Sequence, residues 1–345
     1  MVRRGAPAPP APAVRPFLLR HAHRFIGIAV LLCILSRIDI ARVAADLSRT
    51  RIPLFLLALC VLVPVIFLKA VRWNALLRFQ RISLGMGDAF LIYWAGVFLG
   101  SVTPGRLGDF AKIAYVARLG HSLGRSIFSA VFDRLSDLFF FVALACLSGA
   151  WMARARVRAF AVLSGALVAL LAAVLLRAGG KAFLSRVRAA LSRPLPGAGA
   201  ARGIRMTGLD FLREVGTMDA GIIVRVAALS LAGMTCILAH YWMLAESLGI
   251  RLSPAQLTAA VTLSSVASLI PVSILGVGTR DAVLILIFAR FGYARESALA
   301  FSFLIVLAAL AEGVAGFFCW MRRPIDFRDL AALRADAHGD ARVRI

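Results

Sequence analysis

Residues 88–117 read DAFLIYWAGVFLGSVTPGRLGDFAKIAYVA, an apolar run that is interrupted in its middle by a polar stretch. The arms on either side, 88–102 and about 110–117, are too short as helices to cross the ~30 Å hydrocarbon core of a bilayer. Proline and clustered glycine break helices. The pattern therefore predicts a bent helical hairpin, and its breaking residues are Pro104, Gly105 and Gly108.

A second apolar region is interrupted in the same way. Residues 254–270 lead into PVSILGVGTRD (271–281), and a short apolar arm then runs to Phe291. Irregular backbone at membrane depth is tolerated only where protein or water covers it. We therefore expect a second re-entrant hairpin, with its break at Pro271, Gly276 and Gly278.

The rest of the chain has the composition of an integral membrane protein. Of its 345 residues 61% are hydrophobic, and the mean hydropathy of +0.87 excludes a globular cytosolic protein. Charged residues cluster between apolar runs, which favours an all-α multi-pass helical bundle over a β-barrel. We predict six full spans in addition to the hairpins: one around Phe25–Leu35, then 52–72, 125–150, 157–177, 222–248 and 297–321.

The net charge of +23 indicates the orientation of these spans. Basic residues beside spans hold cytoplasmic loops inside and attract anionic lipid, so the charge points to a membrane surface and not to nucleic acid. With cytoplasmic termini, most Lys and Arg residues fall inside, Lys69 and Arg72 among them. The two hairpins then enter from opposite sides, which predicts an inverted repeat with a substrate site at the midplane. Two ordinary helical pairs with proline kinks are the alternative.

This interpretation divides the chain into a tail, a membrane domain and a second tail. We expect a bacterial-type inner (plasma) membrane location. The five cysteines lie singly in apolar runs and soluble-enzyme motifs are absent from the sequence, so we expect no metal, no cofactor and no enzymatic activity. The predicted parts are a disordered tail at 1–16, a membrane domain at 17–321 with halves at about 52–150 and 222–321, a basic cytoplasmic linker at 178–221 and a cytoplasmic tail at 322–345.

Both interrupted regions resemble one family. Residues 103–141, TPGRLGDFAKIAYVARLGHSLGRSIFSAVFDRLSDLFFF, carry PGRxGDxxK and then Arg134-x-x-Asp137, and 271–282 carry PxxxxGxGxxDA. The chain thereby resembles the lysylphosphatidylglycerol synthase transmembrane family, which also forms the flippase part of multiple peptide resistance factors. It departs from the family pattern in having Asp109 and Asp281 for the usual Glu and Lys112 for Arg.

The resemblance implies movement of a phospholipid or other lipid-linked head group between leaflets, or service to a lipid-linked pathway. It does not name the lipid. Synthesis of lysylphosphatidylglycerol needs a large soluble aminoacyl-transfer domain, and this chain ends shortly after its last predicted span. We therefore expect the membrane region without synthase activity.

Charges within the interrupted segments are the candidate substrate-binding residues, because an ionised side chain at the bilayer centre costs ~2.5–3.5 kcal/mol unless it has a partner or a function. At the first break, either Arg106 and Lys112 bind a lipid phosphate while Asp109 orients these two side chains, or the three form a salt-bridged cap. At the second break, the charged residues either contact a lipid head group beside the backbone amides of the glycines, or they only provide hydrogen-bond partners at the start of a helix. The candidates at this break are Thr279, Arg280 and Asp281.

Further charges lie within the predicted spans. Arg134 is about 14 Å deep and has Asp133 and Asp137 within reach along its own helix, which favours a structural intrahelical pair. Glu312 has no partner in its own helix and needs one elsewhere, such as Arg134 or Arg280, or else it titrates. We also expect His240 to be a hydrogen-bonded packing residue. Small residues that permit close helix packing are Gly96 with Gly100 and Ser264 with Ser268.

Two functional hypotheses remain. In the first, the protein is flippase-like: Arg106, Lys112 and Arg280 neutralise a phosphate, while carboxylates set the geometry. In the second, it is a non-transporting membrane partner, or lipid-presenting subunit, of a glycosyltransferase or lipid-modifying enzyme. An intramembrane enzyme with paired carboxylates is the weakest hypothesis, because Asp109 and Asp281 each have a basic neighbour. The expected partners are membrane lipids, namely an anionic phospholipid or a lipid-linked intermediate.

Overall fold

The computed structural model describes residues 40–103, 108–152, 211, 213–268 and 278–324, and these ranges contain helices and no strand. In chain order the helices are α1 (Ile40–Ser48), α2 (Ile52–Phe79), α3 (Met86–Val102), α4 (Ala111–Arg118), α5 (Leu123–Met152), α6 (Ala220–Ser247), α7 (Pro254–Ala267), α8 (Thr279–Arg290) and α9 (Arg295–Arg322). The predicted tail at 1–16, the spans near Phe25–Leu35 and at 157–177, and most of the linker and of the C-terminal tail lie outside the described residues.

Within the described ranges, four helices are long and apolar enough to cross a membrane: α2, α5, α6 and α9. Each has 28 to 30 residues, or about 42–45 Å, which exceeds the ~30 Å hydrocarbon core. They coincide with the predicted spans at 52–72, 125–150, 222–248 and 297–321. The helical membrane class is thus confirmed, and the other two predicted spans lie outside the described residues.

The predicted end of the first of these spans was wrong. Helix α2 continues to Phe79, so Lys69 and Arg72 lie inside it and not in a cytoplasmic loop. Arg72 is 1% exposed. The positive-inside rule counts charges along the sequence and takes no account of an ion-pair partner on another helix, which is what permits burial here.

The two interrupted regions form pairs of short helices. Helices α3 and α4 have 17 and 8 residues, and α7 and α8 have 14 and 12, so the longest is only ~25 Å. The end of α3 lies close to the residues just before α4. A Cβ on Gly100 would lie 2.1 Å from Asp109 Oδ1, and one on Gly108 would lie 2.1 Å from Leu99. The predicted close packing of the broken arms along Gly96 and Gly100 is confirmed.

Helices α2 and α6 run antiparallel. Residue numbers rise along α2 as they fall along α6 in three successive hydrogen bonds. The bonds are Arg51 N to Ser247 O (2.8 Å), His240 Nδ1 to Ala58 O (2.8 Å) and Arg72 Nη1 to Ser230 Oγ (2.9 Å). His240 is buried, and its ring nitrogen must donate because a carbonyl only accepts. The prediction of a hydrogen-bonded packing histidine is confirmed.

Helix packing follows the same pattern in the two halves. When α2 is matched with α6, α3 with α7, α4 with α8 and α5 with α9, packed pairs of the first half recur in the second. For example, α3 packs on α9 and α7 packs on α5. Helix α2 contributes to three apolar clusters among the described residues. One is built with α6 to α9, one with α3 and α4, and a smaller one with α5 and α6. The short helices on either side of the breaks are therefore packed against spanning helices.

Candidate functional site

Five ionised side chains meet inside the first half, near the middle of the spanning helices. We call this set the buried ion cluster: Lys69 and Arg72 on α2, Lys112 on α4, and Asp133 and Asp137 on α5. Lys69 lies ten residues before the end of α2, or about 15 Å along the helix. Since charge at such depth is costly, its partners determine whether it is tolerated.

Arg72 is the centre of the cluster. Its Nη2 lies 2.7 Å from Asp133 Oδ1, and its Nε donates to the same oxygen at 2.8 Å. Nη1 donates to Asp137 Oδ1 at 2.7 Å and to Ser230 Oγ at 2.9 Å, while Nη2 also donates to the carbonyl of residue 133 at 3.1 Å. The guanidinium thus links α2, α5 and α6. Its five N–H groups have acceptors, which is how a fully buried arginine is stabilised.

Asp133 also fixes the first hairpin to α5. Its Oδ2 accepts from Lys112 Nζ at 2.6 Å and from Tyr93 Oη at 3.0 Å. The ammonium group lies 4.2 Å from the centre of the Tyr93 ring, a favourable cation–π distance. Both arms of the interrupted pair, α3 through Tyr93 and α4 through Lys112, therefore bind one carboxylate that is 1% exposed.

The Lys69–Asp137 pair is the accessible edge of the cluster. Lys69 Nζ lies 2.9 Å from Asp137 Oδ2, and the two side chains are 24% and 15% exposed. They line a crevice between α2, α5 and α6 together with Arg72 and Ser230. Its remaining lining is apolar and includes Phe140 and Phe141.

The predicted intrahelical pairing of Arg134 was wrong. Arg134 Nη2 lies 2.7 Å from Asp109 Oδ2, so the pair joins α5 to the start of the second arm. Asp133 and Asp137 bind cations on α2 and α4 instead. Successive residues on a helix point about 100° apart, which allows Asp133 and Arg134 to face different partners. Asp109 and Lys112 therefore each bind a residue of α5, which neither alternative for the first break had predicted, whereas Arg106 lies outside the described residues.

The second break has a smaller polar cluster. Arg280 and Asp281 are buried and meet at Ser302 of α9. Arg280 Nη2 donates to Ser302 Oγ at 2.7 Å, and that hydroxyl donates to Asp281 Oδ1. Asp281 Oδ2 also accepts the Gly278 N–H at 2.9 Å, and Gly278 has a φ of +95°, which favours glycine. In the described part of the second break, the polar groups at the start of α8 are therefore bonded to one another and to α9. This arrangement matches the second of the two alternatives, a helix start whose polar groups have partners.

Other candidates are distributed as follows. Thr279 is the first residue of α8 and lies beside Arg280 in sequence. Glu312 lies on α9, where its backbone carbonyl accepts from Trp94 Nε1 at 3.0 Å. The side chains of Ser264 and Ser268 bond within their own helix. The candidates Pro104, Gly105, Arg106, Pro271 and Gly276 lie outside the described residues.

Sequence reasoning missed Lys69, Arg72, Tyr93, Ser230 and Ser302 as site residues. One signal was present: Lys69 and Arg72 are three residues apart, so they share a helix face if the helix continues through them. However, two basic residues at the end of an apolar run are also typical of the point where a span ends. Tyr93, Ser230 and Ser302 give no such signal, because tyrosine and serine are common in apolar helices.

Comparison with known proteins identifies one family. The family model described as the lysylphosphatidylglycerol synthase TM region matches residues 23–316 of the 345. The match includes both interrupted helix pairs and every member of the buried ion cluster. No curated protein sequence matches the chain.

Proposed function

Because the chain belongs to the lysylphosphatidylglycerol synthase TM region family, we propose that it moves a phospholipid or another lipid-linked head group between leaflets. The observation that carries the proposal is the buried ion cluster, which places cations near the middle of the spanning helices. Intramembrane charges commonly mark a substrate path. In this proposal the protein is a transporter of the bacterial plasma membrane with cytoplasmic termini, and it performs no chemistry on the lipid.

The proposed architecture is an inverted repeat. Three features support it: the matched pattern of helix packing, the antiparallel arrangement of α2 and α6, and an interrupted helix pair at the same place in each half. In transporters with inverted repeats, interrupted helices form a substrate site between the halves. The two hairpins would then rearrange against the spanning helices to expose the head group to either side.

We assign the head-group path to the two breaks. Lys112 and Asp109 are bound to α5, and Arg280 and Asp281 are bound at Ser302, so both breaks have fixed charges beside a helix start. Arg106, Lys112 and Arg280 would neutralise phosphate, and Asp109, Thr279 and Asp281 would orient it. Glu312 on the matching span would set local charge.

Leaflet exchange tests this function. The purified protein is reconstituted in liposomes with head-group-labelled phosphatidylglycerol or phosphatidylcholine, and exchange is followed by quenching of the outer leaflet. We expect exchange by the wild type and a loss of about tenfold or more in Arg106→Gln and Arg280→Gln, as for removal of a charge-assisted contact. Arg323→Gln is the matched control, because Arg323 is half-exposed and pairs with Asp88 at the helix ends.

Two results would contradict the proposal. Unchanged lipid exchange in folded Arg106→Gln and Arg280→Gln proteins would show that the head group does not pass along the two breaks. A folded wild type that exchanges no lipid would remove the transport function, and stoichiometric co-purification of a glycosyltransferase or lipid-modifying enzyme would then favour a partner role.

A further inference from the structure

We propose that Lys69, at the mouth of the crevice between α2, α5 and α6, binds the phosphodiester of an anionic phospholipid. The polar lining of the crevice consists of Lys69, Arg72, Asp137 and Ser230. The inference rests on the proposed function and deepens it in two ways. It places the head group outside the two breaks, and it predicts that the head group carries a net negative charge.

The charge of the buried ion cluster favours an anion. It holds three cations and two carboxylates, and the other groups that bind it, Tyr93 and Ser230, are neutral. The adjoining Asp109–Arg134 pair is balanced in itself. Among the described residues the cluster therefore has one positive charge in excess, at a depth where uncompensated charge is costly. A monoanionic phosphodiester removes this excess, whereas a zwitterionic head group does not.

Lys69 is the cation that can reach such a ligand. Every N–H of Arg72 already has an acceptor, and the Lys112 side chain is 7% exposed. Lys69 is 24% exposed, and one of its three N–H groups donates to Asp137. Its remaining N–H groups have no acceptor in the described part of the chain. A phosphate oxygen would accept from them without breaking the contacts of Arg72.

The crevice has a volume of about 20 Å³, which is room for about one water molecule, so the phosphate would lie at its mouth, and Gly233 offers a way to close it. Gly233 belongs to the crevice lining on α6, and a Cβ placed on it meets no heavy atom within 4 Å. The Cβ of a leucine at this position would meet no atom, and the rest of its side chain is large enough to close the crevice beside Lys69. Gly149 on α5 is the matched control, because a Cβ there also meets nothing within 4 Å and the residue lies outside the crevice lining.

Native mass spectrometry of the full chain in detergent micelles tests the site, with phosphatidylglycerol and phosphatidylcholine of identical acyl chains as probes. We expect the wild type to retain one phosphatidylglycerol in preference to phosphatidylcholine. Lys69→Gln should weaken this binding by roughly ten- to a hundredfold, the range for a charge-assisted hydrogen bond. Lys69→Arg should largely keep it, Gly233→Leu should abolish it and Gly149→Leu should leave it unchanged. Inorganic phosphate, as a competitor, should displace no lipid.

Three results would overturn the site: equal retention of the two lipids, wild-type affinity in Lys69→Gln, or wild-type affinity in Gly233→Leu. If Lys69→Gln does not fold, the comparison of Gly233→Leu with Gly149→Leu decides. Leaflet exchange is measured on the same proteins. Selective binding without exchange by the wild type would refute the proposed function and leave the crevice standing, whereas exchange that persists when binding is lost would refute the crevice alone.

Discussion

Replacing Asp133 by asparagine perturbs the most constrained charge in the protein. The carboxylate is 1% exposed and accepts from Arg72, Lys112 and Tyr93. Asparagine keeps the shape but removes the charge, so the three cations of the cluster are left with one carboxylate, Asp137, which binds Lys69 and Arg72 but not Lys112. Breaking a buried ion pair by removing one partner costs about 3–5 kcal/mol. Because two cations lose the same partner, we expect the free energy of unfolding to fall by an amount near the upper end of that range.

The assay is equilibrium unfolding in mixed micelles, followed by tryptophan fluorescence, since Trp73 packs beside this cluster. Asp137→Asn serves as a graded comparison: Asp137 is 15% exposed and its partner Lys69 is 24% exposed, so the loss should be smaller. The double variant Lys112→Met, Asp133→Asn should lose less than the sum of the single losses, by about 1 kcal/mol or more, because the two residues interact directly. Wild-type stability of Asp133→Asn to within about 1 kcal/mol would refute the reasoning.

Three further predictions concern stability, each measured by the same unfolding assay. Gly100→Ala should destabilise the protein, because the new Cβ would lie 2.1 Å from Asp109 Oδ1, whereas Gly149→Ala should be neutral or stabilising by up to ~1 kcal/mol. Ser302→Ala should cost about 1–3 kcal/mol, because it removes the hydroxyl that joins two buried charged groups at the second break. Asp88→Asn should cost less than ~1 kcal/mol, because the ion pair it breaks is well exposed.

Equal stability of the Gly100 and Gly149 variants would show that the two arms of the first hairpin do not pack as described. A neutral Ser302→Ala would show that the second break does not depend on this hydroxyl. A loss of several kcal/mol in Asp88→Asn would mean that the exposed pair is coupled to the buried contacts beneath it.

Hydropathy and helix breakers predicted the spans and the breaks because both signals are local. In lipid, the backbone N–H and C=O groups of a run of about 20 apolar residues can form hydrogen bonds only with one another, so the run forms a helix. Proline and glycine mark where such a helix stops. The four described spans and the two interrupted pairs follow from this, with ends that differ by a few residues except in α2.

The pairing of charges could not be predicted, because it depends on residues distant in sequence. Arg72 and Asp133 are 61 residues apart, and Arg134 binds Asp109 in preference to the aspartates of its own helix. Both choices depend on which faces α2, α4 and α5 turn toward one another. The positive-inside rule counted Arg72 among the charges on the cytoplasmic side, because a basic residue after an apolar run is usually found there.

The most direct test of the central claim, that lipid moves past Lys69 at the mouth of the crevice, compares leaflet exchange of phosphatidylglycerol by the Gly233→Leu and Gly149→Leu proteins at matched folding. We predict wild-type exchange in Gly149→Leu and a loss of about tenfold or more in Gly233→Leu, because only the latter fills the crevice beside Lys69. Equal exchange by the two folded proteins would contradict the account.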